Sequence, residues 1–167
     1  MIPFFVFFLL SGVGGSASKW IALVIFAAAS ITDTLDGYIA RRDNLITDFG
    51  KFMDPLADKL LVCSAMICLI PSGKLPTAIV IVIIAREFII SGFRLIAAEH
   101  QIVIAASMWG KFKTTFQMLM VIVLILNVQM PFFQILGKIL TYAALILTVV
   151  SLIDYIVKNK DVLKEQN

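Results

Sequence analysis

Asp33, Asp36, Asp54 and Asp58 are the residues of this chain best suited to chemistry, four carboxylates set in largely apolar surroundings. The first pair stands in Asp33-Thr34-Leu35-Asp36-Gly37-Tyr38-Ile39-Ala40-Arg41, the second in Gly50-Lys51-Phe52-Met53-Asp54-Pro55-Leu56-Ala57-Asp58. A carboxylate in or beside hydrocarbon is costly unless it is paired, hydrated or bound to a cation. Four that converge repel one another unless a multivalent cation neutralises them, so the spacing asks for metal. Mg²⁺ takes oxygen ligands and keeps waters and substrate phosphates in its shell. A pair of such ions stabilises the attacking and leaving oxygens of phosphoryl chemistry. With no histidine or cysteine near the four acids, a transition-metal site is disfavoured.

Helices must bring these acids together. Asp33, Asp36, Gly37 and Ala40 recur at i, i+3, i+4 and i+7, which puts them on one stripe of a helix running from about Ser18 to Arg42. Gly50, Asp54 and Asp58 recur every four residues on a second helix, predicted to start near Thr47 or Asp48. Pro55 falls in its first turns. The connection around Asp43-Asn44-Leu45-Ile46 is long enough only to turn the chain back, so the two acidic stripes are expected at one depth. Gly37, Ala40 and Gly50 leave room for a bulky ligand against the backbone; close helix packing through small residues explains them equally well.

Composition says what surrounds this pair of helices. The chain of 167 residues is 60% hydrophobic and 15% charged, with a mean hydropathy of +0.99. An integral membrane protein is the expectation. A span needs roughly 20 mostly apolar residues, and apolar stretches lie near 2–11, 19–40, 55–71, 75–98, 115–130 and 132–157. The first is too short to cross alone, and with neither a basic flank nor an A-x-A site it does not read as a signal peptide. It reads as the later part of a helix that starts before this chain, so the sequence is expected to be N-terminally truncated. The fold class expected is an all-α bundle of six transmembrane helices, the first shortened, forming a single domain over 1–167.

Net charge is +3 and the isoelectric point about 9.0, but placement matters more. Arg41, Arg42 and Lys51, then Arg94, Lys111 and Lys113, then Lys158, Lys160 and Lys164 mark alternate connections. The intervening ones carry Lys19, Lys74 and Lys138. Basic loops face the cytoplasm, which predicts a multi-pass cell-membrane protein with its acids at the cytoplasmic side. Anionic membrane lipids account for part of this charge, and no basic stripe with interleaved aromatics points to nucleic acid. Cys63 and Cys68, five residues apart on one helix, read as buried apolar residues.

The pattern D-x2-D-G-x2-A-R-x8-G-x3-D-x3-D, met from Asp33 to Asp58, resembles the signature of the CDP-alcohol phosphotransferases. The resemblance implies a six-helix membrane fold, a homodimer, and a site holding two Mg²⁺ or Mn²⁺ ions per subunit that opens to the cytoplasm. It implies transfer of a phosphatidyl or related group from a CDP-linked donor to an alcohol, with release of CMP. Carried onto this sequence, Asp33, Asp36, Asp54 and Asp58 ligate metal, and Asp58 also acts as general base. Asp36, Gly37, Ala40, Arg41 and Gly50 line the nucleotide pocket. The family's N-x-x-T-x-x-R element before the first helix has no counterpart in this sequence.

Downstream, Ala85-Arg86-Glu87-Phe88, Ser91-Gly92-Phe93-Arg94 and Trp109-Gly110-Lys111-Phe112-Lys113-Thr114 resemble the phosphatidylglycerophosphate synthases within that family. The similarity extends from about Ile2 to Val162. It implies CDP-diacylglycerol as donor and sn-glycerol 3-phosphate as acceptor, on the route to phosphatidylglycerol and cardiolipin. An acceptor phosphate needs cations, and Arg94, Lys111 and Lys113, with Arg42 as a further candidate, are expected to clamp it. Composition alone explains these four cations as positive-inside residues. Arg86 and Glu87 lie in an apolar run, where charges face a cavity or each other; Glu87 could orient Arg94 or pair with Lys111, and a purely structural ion pair explains it equally well. His100 reads as a solvated loop residue.

Other readings stay open from the residues themselves. The same family with serine, inositol phosphate or a simple alcohol as acceptor is one. A cation or proton transporter is another, although transporter sites favour the bilayer midplane and repeated halves. A catalytically silent lipid-binding protein is the third.

Overall fold

The computed structural model describes residues 2–11, 16–42, 48–99 and 107–159; the side chains of 16, 33, 34, 36–42, 48–58, 95, 96, 98 and 99 lie outside that description. Among the described residues every regular element is an α-helix: α1 (Ile2–Ser11), α2 (Ser16–Arg42), α3 (Asp48–Leu69), α4 (Thr77–Glu99), α5 (Met108–Leu126) and α6 (Pro131–Lys158). They fall into two compact units. The first holds α1, α2 and α3, the second α4, most of α5, and α6.

In the first unit, α1 packs on both α2 and α3, which also touch each other. Ser18, Ala22 and Phe26 follow one another at four-residue steps and form the buried stripe of α2. Phe26 meets Phe5 of α1, the ring centroids 5.7 Å apart, and the Ser18 hydroxyl donates to the Phe8 carbonyl. The short apolar segment at the start of the chain is therefore a packed helix. Leu61, Ala65, Met66 and Leu69 form the buried side of α3.

In the second unit, α4 packs along α6. The two faces of α6 differ sharply. Gly137, Thr141, Ala144, Thr148, Ser151 and Tyr155 alternate at four- and three-residue steps and are buried. Phe132, Ile135, Ile139, Tyr142, Ile146 and Ile153 occupy the other side and are exposed. Small and hydroxylated residues inside with bulky apolar residues outside is the arrangement suited to lipid, where close approach of backbones drives helix association. The buried hydroxyls return to their own helix: Thr141 donates to Gly137 O at 2.8 Å, Thr148 to Ala144 O at 2.6 Å, and Ser151 to Thr148 O at 3.0 Å.

Two described helices, Met108–Leu126 and Pro131–Lys158, are long and apolar enough to cross a membrane. The starts and ends of α1, α3 and α6 fall within about two residues of the predicted positions. The fifth differs: its apolar stretch spans 115–130, yet the helix runs from Met108 to Leu126. Trp109-Gly110-Lys111-Phe112-Lys113 is helical because one side of it is buried at Lys113 and Gln117, not because it is oily. At the other end Asn127 takes the left-handed conformation, φ 46°, which stops α5 as an asparagine following a helix commonly does.

Candidate active site

The acid motif lies on α2 and α3, neighbours in the first unit. Residues 43–47, between the two helices, lie outside the described residues, so the acids are placed by their positions along each helix. Asp36 stands six positions before Arg42, the end of α2, and Asp54 six positions after Asp48, the start of α3. Asp33 stands nine before the end and Asp58 ten after the start. At 1.5 Å per residue, Asp36 and Asp54 sit about 9 Å from the connecting end and Asp33 and Asp58 about 14 Å from it. The two pairs thus stand at similar distances along their own helices, counted from the end of α2 and from the start of α3.

Gly37, Ala40, Arg41 and Arg42 lie in the last turns of α2 and Gly50 in the first turn of α3. The side chains of all of these, and of the four aspartates, lie outside the described residues, as does the connection 43–47. Among the described residues no group of three or more His, Cys, Asp or Glu side chains gathers. The donor set nonetheless fits hard divalent ions in kind: four carboxylates on two contacting helices, with the small residues Gly37 and Ala40 following them on α2.

The expected acceptor cations lie in the second unit, and its geometry separates them. Lys113 is buried, 3% exposed, and its ammonium is paired with the Glu87 carboxylate of α4. The same Glu87 Oε1 meets Arg86 Nη1 at 3.4 Å. The pairing of Glu87 with Arg86 is one the sequence allows, whereas Lys113 is a partner it does not point to. Lys111 is exposed. Two residues apart on a helix, Lys111 and Lys113 point some 200° apart, so one ammonium ties α5 to α4 while the other stays accessible.

Gly110 lies against this cluster. A Cβ built on it would stand 3.5 Å from Ser107 Oγ and 3.9 Å from Arg86 Nη2, so a large side chain there would press on the guanidinium. Arg94, half-buried two turns further along α4, lies beside Tyr155 of α6, whose ring stacks edge-on against Phe93 at 6.1 Å and 85°. The Tyr155 hydroxyl, Arg86 Nε and Arg94 Nε are buried and, among the described residues, without hydrogen-bond partners. Tyr155 escapes a reading of the sequence because it ends a long apolar stretch; its signal is the step of four from Ser151 on the small-residue stripe.

A family model for CDP-alcohol phosphatidyltransferases matches residues 1–150. The chain belongs to that family, and is a member of a class of phosphatidyltransferases. Within it, the chain is similar to the CDP-diacylglycerol–glycerol-3-phosphate 3-phosphatidyltransferase of Bacillus subtilis, 46% identical over 150 residues, 86% of this chain and 76% of that protein. It is similar to the protein of the same name from Rickettsia typhi, 38% identical over 149 residues, 87% of this chain and 84% of that one. A probable phosphatidylglycerophosphate synthase of Mycobacterium tuberculosis is 38% identical over 159 residues, 95% of this chain and 75% of that protein.

Proposed function

We propose that this chain transfers the phosphatidyl group of CDP-diacylglycerol to sn-glycerol 3-phosphate, giving phosphatidylglycerophosphate and CMP. The observation that carries the reading is the 46% identity to the Bacillus subtilis enzyme of that name over 150 residues. The placement of the acid motif on α2 and α3, helices that contact each other, is compatible with it.

In this reading Asp33, Asp36 and Asp54 hold a pair of divalent ions, Mg²⁺ or Mn²⁺, together with Asp58. Such ions, when bound, neutralise and polarise the donor's diphosphate. Gly37, Ala40, Arg41 and Gly50, with Asp36, line the nucleotide pocket, and the first three share the end of α2 with that acid. Asp58 takes the proton from the acceptor hydroxyl as its oxygen attacks the phosphorus that carries the diacylglycerol, and CMP leaves with the bridging oxygen. Arg94 and Lys111 bind the acceptor phosphate, with Arg42 from the first unit as a further cation. Lys113 contributes its positive charge while tied to Glu87.

The wider setting is part of the proposal: one functional domain over 1–167, six membrane-associated helices in multi-pass topology, the acid motif at the cytoplasmic face, and a homodimer among membrane lipids. The test is CMP release by the purified protein from CDP-diacylglycerol, with and without chelator, across a panel of glycerol 3-phosphate, serine, inositol phosphate and glycerol. Metal-dependent release specific to glycerol 3-phosphate is the expected result. Release driven by serine or inositol phosphate would reassign the acceptor, and none under any condition would remove the enzymatic reading.

A further inference from the structure

The ends of α2 and α3 remote from the acid motif carry positive charge that nothing in the first unit balances. Lys19 lies in the first turn of α2, and Lys74 in the turn that follows α3. α1 packs on both helices, and Ser18, next to Lys19, donates to the Phe8 carbonyl near the end of α1. Lys74 is half-buried and feels the charge of Lys19. No carboxylate of the first unit reaches them. Residues 1–32 and 59–86 contain neither aspartate nor glutamate. Asp33 stands 14 positions beyond Lys19 on α2, about 21 Å at 1.5 Å per residue. Asp58 stands 11 positions before the end of α3, about 16 Å from it. Both distances exceed the Debye length of about 8 Å. Among the described residues neither lysine has an ion-pair partner.

The turn fixes Lys74 and leaves room beside it. Ser72 donates to the Leu69 carbonyl at 2.8 Å, and the Gly73 N–H to that of Ile70 at 2.9 Å. Gly73 takes the left-handed conformation, φ 68°, and a Cβ built on it would meet nothing within 4 Å. The surface of the same helix ends is oily: Leu10 in the last turn of α1, Trp20 and Val24 in the early turns of α2 and Ile67 in the last turn of α3 are all exposed. Two like charges, one of them half-buried, are stabilised by a shared anion. A soluble anion gains nothing from an apolar surround. A lipid lays its chains on that surface and its phosphate on the lysines, beside a tryptophan suited to the headgroup level.

We propose that Lys19 and Lys74 together bind the phosphate of an anionic membrane lipid, whose acyl chains lie against Trp20 and its exposed apolar neighbours, at the end of the first unit away from the acid motif. The lipid is a bound structural partner and not a substrate, since the nearest acid on α2 lies about 21 Å further along that helix. Nothing in this contact depends on the acceptor alcohol or on turnover.

The test uses the full chain with Trp109→Phe, which leaves Trp20 as the single tryptophan, reconstituted in phosphatidylcholine vesicles. Phosphatidylserine or phosphatidylcholine with brominated acyl chains is added at equal mole fraction, and quenching of Trp20 fluorescence is read. The anionic lipid should bind about thirtyfold tighter than the zwitterionic one, from about fivefold for each lysine. Lys19→Gln and Lys74→Gln should each cut that preference about fivefold and together abolish it, while Lys74→Arg should keep it. Lys138→Gln, at an exposed lysine in the early turns of α6, should leave it unchanged. Tm of the glutamine variants in phosphatidylcholine should hold or rise, because repulsion between like charges is relieved. Equal quenching by the two lipids, a preference that survives the double variant, or one lost equally in Lys138→Gln would overturn the proposal. So would a preference lost only together with a clear fall in Tm. Inorganic phosphate, at ionic strength matched with chloride, should displace none of the lipid; displacement would overturn the choice of a lipid over a soluble anion.

Discussion

The Glu87 carboxylate of α4 and the Lys113 ammonium of α5 form an ion pair inside the second unit, with both side chains at most 10% exposed. Arg86 shares the same carboxylate oxygen. Two buried cations thus share one acid, whose loss would remove a contact from both.

Glu87→Gln should therefore destabilise the protein by about 3–5 kcal/mol, the cost of stranding buried charge. Glu87→Met combined with Lys113→Met should recover only part of it, since an apolar pair replaces one ionic contact while Arg86 still loses its carboxylate. Thermal unfolding in detergent measures both. A single variant as stable as the wild type would show that the pair contributes nothing.

Lys111 and Lys113 should separate in kinetics. Lys111→Ala removes an exposed ammonium, so Tm should hold while KM for glycerol 3-phosphate rises about tenfold. Lys113→Ala removes a buried ammonium paired with Glu87 and leaves a cavity, and should lower Tm first. Identical profiles for the two variants would contradict the division of roles seen on α5.

Asp58→Asn keeps the size of the side chain and removes its charge and basicity. Turnover should fall by at least about 10²–10⁴, the range of general-base catalysis, with Tm little changed. Near-normal CMP release would take Asp58 out of the mechanism.

Lys74, in the turn between α3 and α4, is pushed below its ordinary value of 10.5 by burial, and then by the charge of Lys19. A lowered value in the folded state means that the unfolded chain binds more protons, so stability rises with pH as Lys74 is discharged, up to about 10.5. At neutral pH the cost is fully present. Lys74→Met should thus raise Tm at pH 7 to 8, with the advantage shrinking as pH climbs towards 10.5. A constant or growing advantage would show that burial of the charged ammonium is not what lowers the value.

Much of this architecture was legible because apolar runs and their breaks are written plainly in the chain. Ile2–Ser11 and Pro131–Lys158 follow the oily stretches almost residue for residue. The start of α5 did not, since hydropathy is blind to a helix whose inward side carries lysine and glutamine. The expectation that Asp36 and Asp54 share one depth rests on spacing, and their side chains lie outside the described residues. The partner of Glu87 did not follow, because Lys111 and Lys113 are both within reach in sequence and only the rotation of α5 chooses between them. Tyr155 was hidden for a related reason: its environment is made by α4, far back along the chain.

The hydroxyls of Thr141, Thr148 and Ser151 ask nothing of their neighbours, each being returned to a carbonyl of α6 itself. Along this stretch α6 provides for its own hydroxyls before it meets a partner, whereas the Tyr155 hydroxyl nearer its end is not so provided. α4, which carries Arg86, Glu87 and Arg94, gains most from arriving where Lys113 can meet it. Biogenesis therefore has a built-in asymmetry: much of α6 looks after itself, and α4 is a client.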